Sequence, residues 1–242
     1  MNNSATFITS IHDYIRSSLA LRRGSLVRHD FVPTGLHKEY PRMVRISLPE
    51  PAPLTMPLHE VLHKRISSPV SITDRALSLQ ELGNLLGHSL GMSDEKRRHY
   101  PSGGALYPIE TYLVGNIIEG YPSGVFHYHP KSHALEFLWE TPASFAMSNI
   151  LRSPEIALAP QLIVFTSVWN RSAAKYGDHA YSHGMLEAGH MAQNILLVAT
   201  ALSMHTRPIA GYNDTVISEL LDIDPRLEQP VYSIVLCPAI TK

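Results

Sequence analysis

The segment from residue 171 to residue 204 constrains the fold more than any other part of this chain. It reads RSAAKYGDHAYSHGMLEAGHMAQNILLVATALSM, which begins polar and becomes apolar on nearly every helical face from Met191 onward. A helix that is apolar all round is buried, so the segment predicts a long central helix. Its apolar half contains Gln193 and Asn194, and buried amides need hydrogen-bonding partners. We therefore expect something polar to meet them, the alternative being that backbone carbonyl groups of the core satisfy both amides.

A second segment, HYPSGGALYPIETY at 99–112, places two adjacent glycines before a strand-like run. Glycine lets the backbone approach a bound molecule closely. On their own, however, two glycines predict only a tight turn, because glycine loops are common. In combination with the polar residues of the central helix, the segment favours a ligand site.

Composition narrows the functional class. With 242 residues, 44% of them hydrophobic and 17% charged, the chain can form one elaborated globular domain. A formal net charge of -1 argues against nucleic-acid binding. A single cysteine, Cys237, excludes an internal disulfide framework and zinc-type cysteine spacing. No signal peptide is visible after Met1, and the apolar run at 195–202 is too short to span a membrane, so we expect a cytoplasmic protein.

The order of predicted elements indicates an α+β fold. Residues 1–57 form an N-terminal helix, over about 5–19, and an extended proline-rich arm; residues 58–242 form the main domain. Ser78 and Glu81 are typical of a capping box that opens a helix over 79–90. The remaining predictions are helices at 58–64, 142–151 and 213–221, strands at 111–118, 124–129, 134–139, 161–168 and 231–236, and an extended run at 205–209. The hairpin at Pro130-Lys131 favours a mixed, mainly antiparallel sheet flanked by helices.

Four motifs occur in a fixed order along the chain: PSGGALYPIETYLV, KYG, EAGHMAQNILLVATAL and RPIAGYND. This pattern resembles the SagB-type (McbC-like) dehydrogenases, the azoline-oxidising branch of the FMN-dependent nitroreductase superfamily. The resemblance covers about residues 62–237, and the proline-rich arm also resembles that of the family. It implies a nitroreductase-like fold and a homodimer with the flavin at its interface.

The resemblance also implies an FMN site. Arg65 and Ser67 match the superfamily's RxS phosphate motif, for which a guanidinium and a hydroxyl are suitable partners. The other cofactor-binding residues that we expect are Pro101, Ser102, Gly103, Ala105, Gln193, Asn194, Ala210 and Gly211, with Arg171 and Arg207 as further phosphate contacts. The chain departs from the family at three places. Pro69 stands where a basic residue often follows the RxS serine, and the CPAITK terminus lacks the basic residues that relatives often keep there, apart from Lys242. Ala210 occupies a position that is often acidic in nitroreductases. Without the motif, Arg65 would be read as a surface arginine.

By the same resemblance, Lys175 and Tyr176 are the expected catalytic pair. Oxidation of a thiazoline or oxazoline to an azole removes a proton and a hydride, so it needs a base and FMN as the hydride acceptor. A lysine can be that base only where burial or a nearby cation lowers its pKa. The alternative is that Lys175 is a solvated residue at a helix start and Tyr176 a packing aromatic.

The resulting hypothesis is an FMN-dependent dehydrogenase acting on an azoline-containing peptide or carrier-bound substrate. Its rivals are an NAD(P)H-dependent nitro or ene reductase and a non-catalytic scaffold of a cyclodehydratase complex. No metal is expected, although His179, His183, Glu187 and His190 recur at helical spacing. His127 and His129 share one side of a strand and are expected to face solvent.

Overall fold

A seven-stranded sheet forms the centre of the computed structural model, which describes residues 35–67 and 75–238. Its strands are β1 Val44–Ser47, β2 Ile109–Gly115, β3 Gly124–His129, β4 Ala134–Glu140, β5 Gln161–Val168, β6 His205–Ile209 and β7 Glu228–Cys237. The α-helices within the described residues are α1 Leu58–Lys64, α2 Leu79–Leu90, α3 Trp169–Tyr176, α4 His179–Ala201 and α5 Asp214–Leu220. The helix expected over 5–19 lies outside these residues.

The strand order is β1-β4-β3-β2-β5-β7-β6, and every pair of neighbours is antiparallel. The predicted mixed α+β class is therefore confirmed. Strand β6 contains Pro208 and occupies one edge, where a residue without an N–H is tolerated because one side of the strand has no partner. The predicted hairpin around Pro130 joins β3 to β4.

Two predicted helices begin and end as expected. Helix α1 covers Leu58–Lys64, and α2 covers Leu79–Leu90. The Ser78 side chain accepts a hydrogen bond from the Glu81 amide, and the Glu81 carboxylate accepts one from the Ser78 amide. This reciprocal capping box satisfies amide groups that the first helical turn leaves without partners.

The central helix is present but interrupted. Gly177, with φ of +56°, separates α3 from α4, which is then continuous from His179 to Ala201. Met191 and Ile195 are buried as expected. Gln193 is exposed, so the expectation that both amides of the apolar half are buried was wrong for this residue. The helix keeps one side open along its apolar half.

The sheet separates two hydrophobic cores. One lies under α2 and α4, where Leu82, Leu86 and Ile195 pack on the sheet. The other lies on the opposite face, where Val164 of the sheet packs with Ile217 of α5. All seven residues of β2 are buried, because both of its faces are covered.

Two segments differ from expectation. The helix predicted near 142–151 is wrong: Ala146 is extended and only a 3-10 turn, Met147–Asn149, forms. Ser148 and Asn149 favour caps and turns over helix interiors, and Ile150 is held in the second core. In the arm, Val44–Ser47 pairs with β4 as an edge strand that was not predicted. No helix within the described residues is long and apolar enough to cross a membrane.

Candidate active site

The glycine loop before β2 is tightly wound. Gly104 has φ of +65°, and two residues with side chains, Ala105 and Tyr107, also have positive φ. The Ser102 hydroxyl accepts a hydrogen bond of 2.9 Å from the Tyr107 amide, which closes the loop. Only glycine adopts such a backbone without strain, which explains the residue at 104.

The loop lies directly against the Lys175-Tyr176 pair. A Cβ atom at Gly104 would overlap the Tyr176 hydroxyl and lie 2.9 Å from Lys175 Nζ. The two segments singled out in the sequence are thus brought together, and glycine leaves the space that the two side-chain ends occupy. Lys175 belongs to the last turn of α3, and the side chains of both residues are half-buried.

A polar face of α4 extends from this pair. The ring of His183 lies 4.7 Å from the ring of Tyr176, edge to face, and 6.2 Å from the ring of His179. One turn after His183, the Glu187 carboxyl is buried, and neither of its oxygens has a hydrogen-bonding partner. Burial raises the pKa of Glu187 to about 7, against the opposing charges of Arg98 and Arg171. His183 and Glu187 do not come together with His179 or His190 as a group with metal-ligand spacing in the described chain.

Behind the loop, a network of charged side chains is buried on the sheet. His127 Nε2 lies 2.9 Å from Glu110, and its Nδ1 lies 2.9 Å from Glu136. Burial disfavours the charged ring, but the bonds to both carboxylates raise the pKa of His127. The expectation that His127 faces solvent was therefore wrong, as it was for the buried His129. The sheet face that carries both histidines is covered by other parts of the chain. The alternation of side chains along β3 therefore does not expose them to solvent.

Arg171 links this network to the site. It donates to the Tyr107 carbonyl at 3.0 Å and pairs with Glu110 at 2.5 Å. The positive charge of Arg171 and the bond to His127 hold the pKa of Glu110 below its usual range despite burial. Both terminal nitrogens of Arg171 are thus engaged inside the protein, whereas a phosphate contact was predicted.

The other predicted cofactor residues lie in four places. Arg65, half-buried, and Ser67, exposed, follow α1, and Arg65 forms no ion pair with the described residues. Asn194 donates to the carbonyls of Ser89 and His99, so backbone carbonyl groups satisfy this amide. The exposed Ala210 and Gly211 and the half-buried Arg207 lie in or after β6; Pro101, Ser102, Gly103 and Ala105 belong to the glycine loop.

One group in the described residues has metal-ligand spacing: His37, Glu39 and His129. The Ser132 amide donates to His129 Nδ1 at 3.2 Å. In a neutral ring, the proton then resides on Nε2, the nitrogen that would have to bind the metal. Burial and the nearby His37 lower the pKa of His129, so the neutral ring is favoured. The tautomer makes this group a poor metal site.

Sequence reasoning missed Arg98 and Glu110, and it considered Glu187 only as a metal ligand. Arg98 is buried beside the rings of Tyr100 and Tyr107 and donates to the Tyr100 hydroxyl at 2.7 Å. A signal was present for Glu110, because a carboxylate within the buried run IETYLVG requires a charged partner. Arg98 has no comparable signal, since arginines are common in loops.

Comparison with known proteins gives consistent matches. The chain matches the model of the Nitroreductase family over residues 71–237. It is 32% identical over 178 residues to a putative nitroreductase of Methanocaldococcus jannaschii, covering 72% of this chain and 89% of that protein. It is also 32% identical over 188 residues to the microcin B17-processing protein McbC of Escherichia coli, covering 72% of this chain and 67% of McbC. The trifolitoxin-processing protein TfxB of Rhizobium leguminosarum is 25% identical over 85% of this chain, which spans only 59% of TfxB.

Solved structures share the fold. A putative nitroreductase from Anabaena variabilis superimposes with a TM-score of 0.72 at 25% identity, covering 88% of this chain and 45% of that one. A chain of the E. coli microcin synthetase McbBCD complex, solved with truncated pro-MccB17 bound, gives a TM-score of 0.64 at 27% identity. That match covers 79% of this chain and 75% of the other.

Proposed function

Since the chain belongs to the nitroreductase family, we propose that it is an FMN-dependent dehydrogenase of the SagB-type (McbC-like) branch. It oxidises thiazoline or oxazoline rings of a peptide or peptide-like natural product to azoles. The observation that carries this proposal is the contact of Gly104 with the Lys175-Tyr176 pair. The loop expected along the flavin and the expected base thus meet at one point, as a reaction between cofactor and substrate requires.

The donor groups suit FMN chemically. Arg65 provides a guanidinium that no carboxylate among the described residues occupies, and Ser67 provides an exposed hydroxyl for the phosphate. Asn194 has both amide hydrogens in bonds to carbonyl groups, so only its side-chain oxygen remains to be offered. Bound FMN supplies the acceptor for a hydride. Arg171 is better assigned to holding Glu110 and the Tyr107 carbonyl beneath the loop.

In this proposal, Lys175 takes the proton from the ring carbon and Tyr176 orients the ring or shares the proton. Both residues are half-buried at the end of α3, so a substrate can reach them and the base is partly shielded from water. Lys175 Nζ lies 5.2 Å from the centre of the Tyr176 ring, so both groups can reach the same substrate atom. The names of McbC and TfxB support a peptide substrate and, by analogy with the McbBCD complex, a heterocycle-forming partner.

A reductase remains the second candidate, because the M. jannaschii relative is named a putative nitroreductase. The two functions differ in what reduces the flavin. We expect the purified protein to be yellow with FMN, and a thiazoline peptide to bleach it anaerobically. Bleaching by NADPH and not by the peptide favours the reductase, and a colourless protein that cannot be reconstituted with FMN excludes both.

Variants test the catalytic pair. Lys175→Ala should retain FMN and lose roughly 10²–10⁴-fold in the rate of azoline oxidation, the usual contribution of a positioned general base. Lys175→Arg should not restore the rate, because guanidinium stays protonated. Tyr176→Phe separates proton handling from packing. Lys131→Ala, at an exposed position in the β3–β4 turn, is the control and should keep the rate. Near-normal rates in the Lys175→Ala and Tyr176→Phe variants would show that the pair is structural.

A further inference from the structure

Several buried polar atoms without partners belong to α3, to α4 and to the end of β5. Within the described chain they belong to Ser167, Ser172, His179, His183 and Glu187. Ser167 Oγ lies 3.1 Å from the Cβ position of Gly184, and His183 Nδ1 lies 3.1 Å from that of Gly103. Buried polar groups are nearly always hydrogen-bonded in proteins, so such a cluster needs a functional explanation.

Glu187 is the most demanding member. Its side chain is only 2% exposed, and both of its oxygens lack partners. The Ser102 side chain and the Ile109 backbone face the carboxyl without the geometry of a hydrogen bond. Arg98, Arg171 and Tyr100 face it from the loop and from α3. Because burial raises the pKa of Glu187 to about 7 against the effect of the two arginines, the carboxyl can exchange a proton near neutral pH.

His183 contacts the proposed catalytic pair and precedes Glu187 by one turn of α4. It lies on the same face of α4 as Glu187, and its ring stands edge to face against Tyr176 at 4.7 Å. Its Nδ1 is unpartnered, and burial together with the nearby His179 lowers the pKa of His183. A neutral imidazole can accept a proton at one nitrogen and donate at the other, so the ring is suited to proton transfer.

We propose that Glu187 receives, by way of His183, the proton that the Lys175-Tyr176 pair removes from the substrate. This inference rests on the proposed function. Bound FMN would supply the acceptor for a hydride from one ring carbon of the azoline. The adjacent carbon gives up a proton, and the electron pair of that C–H bond forms the new ring double bond. The proton passes from the pair to His183 and then to Glu187, which becomes a neutral carboxylic acid and later releases it to solvent.

The first test needs no substrate. Infrared spectra of the wild-type protein should contain a carboxylic-acid carbonyl band that titrates near pH 7, the value to which burial brings the pKa of Glu187. Glu187→Gln should lack the band, whereas Glu155→Gln, at an exposed position, should retain it. Ionisation of Glu187 throughout the range above pH 5 would overturn the inference.

Stability against pH gives a second readout. In the unfolded chain, Glu187 ionises near its ordinary pKa of 4.5, whereas in the folded chain it does so near 7. The wild type should therefore lose stability as pH rises through this window, because the unfolded state ionises first. Glu187→Gln should remove that part of the pH dependence, and Glu155→Gln should not. Equal pH dependence in the wild type and in Glu187→Gln counts against a protonated Glu187.

The decisive test is single-turnover bleaching of the flavin by a thiazoline peptide. The wild-type rate should rise through the pKa of Glu187, since the carboxylate is the accepting form. In Glu187→Gln this increase of the bleaching rate with pH should vanish. At a pH above the pKa of Glu187, the bleaching rate of the variant should be at least about 10²-fold lower than that of the wild type. A merely structural role would change the rate without removing the pH dependence.

The outcomes separate this inference from the proposed function. If the flavin is bleached with the same pH profile in the wild type and in Glu187→Gln, the proton relay is overturned and the dehydrogenase assignment stands. If the flavin of the wild type is not bleached at all, the proposed function fails. The proposed transfer of a substrate proton to Glu187 then fails with it. An intact infrared band would then show that the buried acid serves other chemistry.

Discussion

At the scale of single residues, His127 organises the buried polar face of the sheet. Its ring bridges Glu110 and Glu136, and Glu136 also pairs with Arg45 at 2.6 Å. Burial alone would favour neutral carboxyl groups, but the bonds to His127 and Arg45 lower the pKa of Glu136 to about 2. An imidazolium at His127 compensates two carboxylates at once, which explains a charged ring on a buried strand.

Replacing His127 by Leu should lower the free energy of unfolding by about 3–5 kcal/mol, because it removes the cation that bridges two buried carboxylates and leaves each with a single arginine partner. Since the folded pKa of His127 is raised, its charged form contributes stability below the unfolded value of about 6.5, and that contribution is lost as pH rises through the folded pKa. The difference in the free energy of unfolding between the wild type and His127→Leu should thus become smaller at high pH. Urea denaturation at a series of pH values measures this.

His63, exposed in the last turn of α1, offers the matched control. His63→Leu should change the free energy of unfolding by less than about 0.5 kcal/mol, as surface substitutions usually do. Equal losses in both variants would mean that the bridging geometry of His127 contributes nothing of its own.

At the scale of elements, the glycine loop and the end of α3 are matched to one another. Gly104→Ala should strain the backbone, because φ is +65°, and should also push the new methyl group into the Tyr176 hydroxyl and Lys175 Nζ. We expect a loss of stability of about 1–3 kcal/mol and displacement of the pair. Under the proposed function, the rate of azoline oxidation should fall well beyond the change in stability, in a parallel assay of both quantities.

Gly120→Ala isolates the backbone contribution. Gly120 also has a positive φ, of +81°, but a Cβ there meets nothing within 4 Å. This variant should show the strain without the collision, and activity should be retained. Similar activity in the Gly104→Ala and Gly120→Ala proteins would show that the fit of the glycine loop against Lys175 and Tyr176 is not needed for their function.

At the scale of the whole molecule, α1 presents an apolar face to solvent. Leu58, Leu62 and Ile66 are 66%, 54% and 60% exposed along α1 and just after it. The inner side of α1 lines a cavity of about 340 Å³ with Leu197 and Val198 of α4. Exposed apolar patches of this kind commonly mark protein interfaces, so they support the homodimer that the family resemblance implies.

Leu62→Glu should therefore shift the protein from dimer to monomer at micromolar concentration, because it places a charge within the proposed interface. Light scattering after gel filtration measures the change. Leu158→Glu is the control, since Leu158 is equally exposed, at 53%, outside α1. A wild-type monomer that still holds FMN tightly would refute the interface.

Much of the secondary structure was predictable because it depends on neighbours in sequence. The capping box at Ser78 and Glu81, the helix α2 that it opens and the strand β5 all formed as expected. The exception near 142–151 also has a local component, since Ser148 and Asn149 favour turns, but the second core decided it by holding Ile150. The four motifs also pointed to the nitroreductase family, to which the chain belongs.

The tertiary structure decided which of these residues meet. His127 lies opposite Glu136 only because β3 and β4 pair in this register, and a shift of one residue would turn its side chain to the other face. Likewise, Glu187 is buried because α4 packs beside the glycine loop, and Gly104 touches Tyr176 because Gly177 ends α3 there. Local patterns record helix and strand preferences, whereas burial and charge pairing depend on segments distant in sequence. The amino-acid sequence by itself therefore determined most of the elements and the nitroreductase family. Packing decided the turn near 142–151, the edge strand β1 and the environment of each charged group.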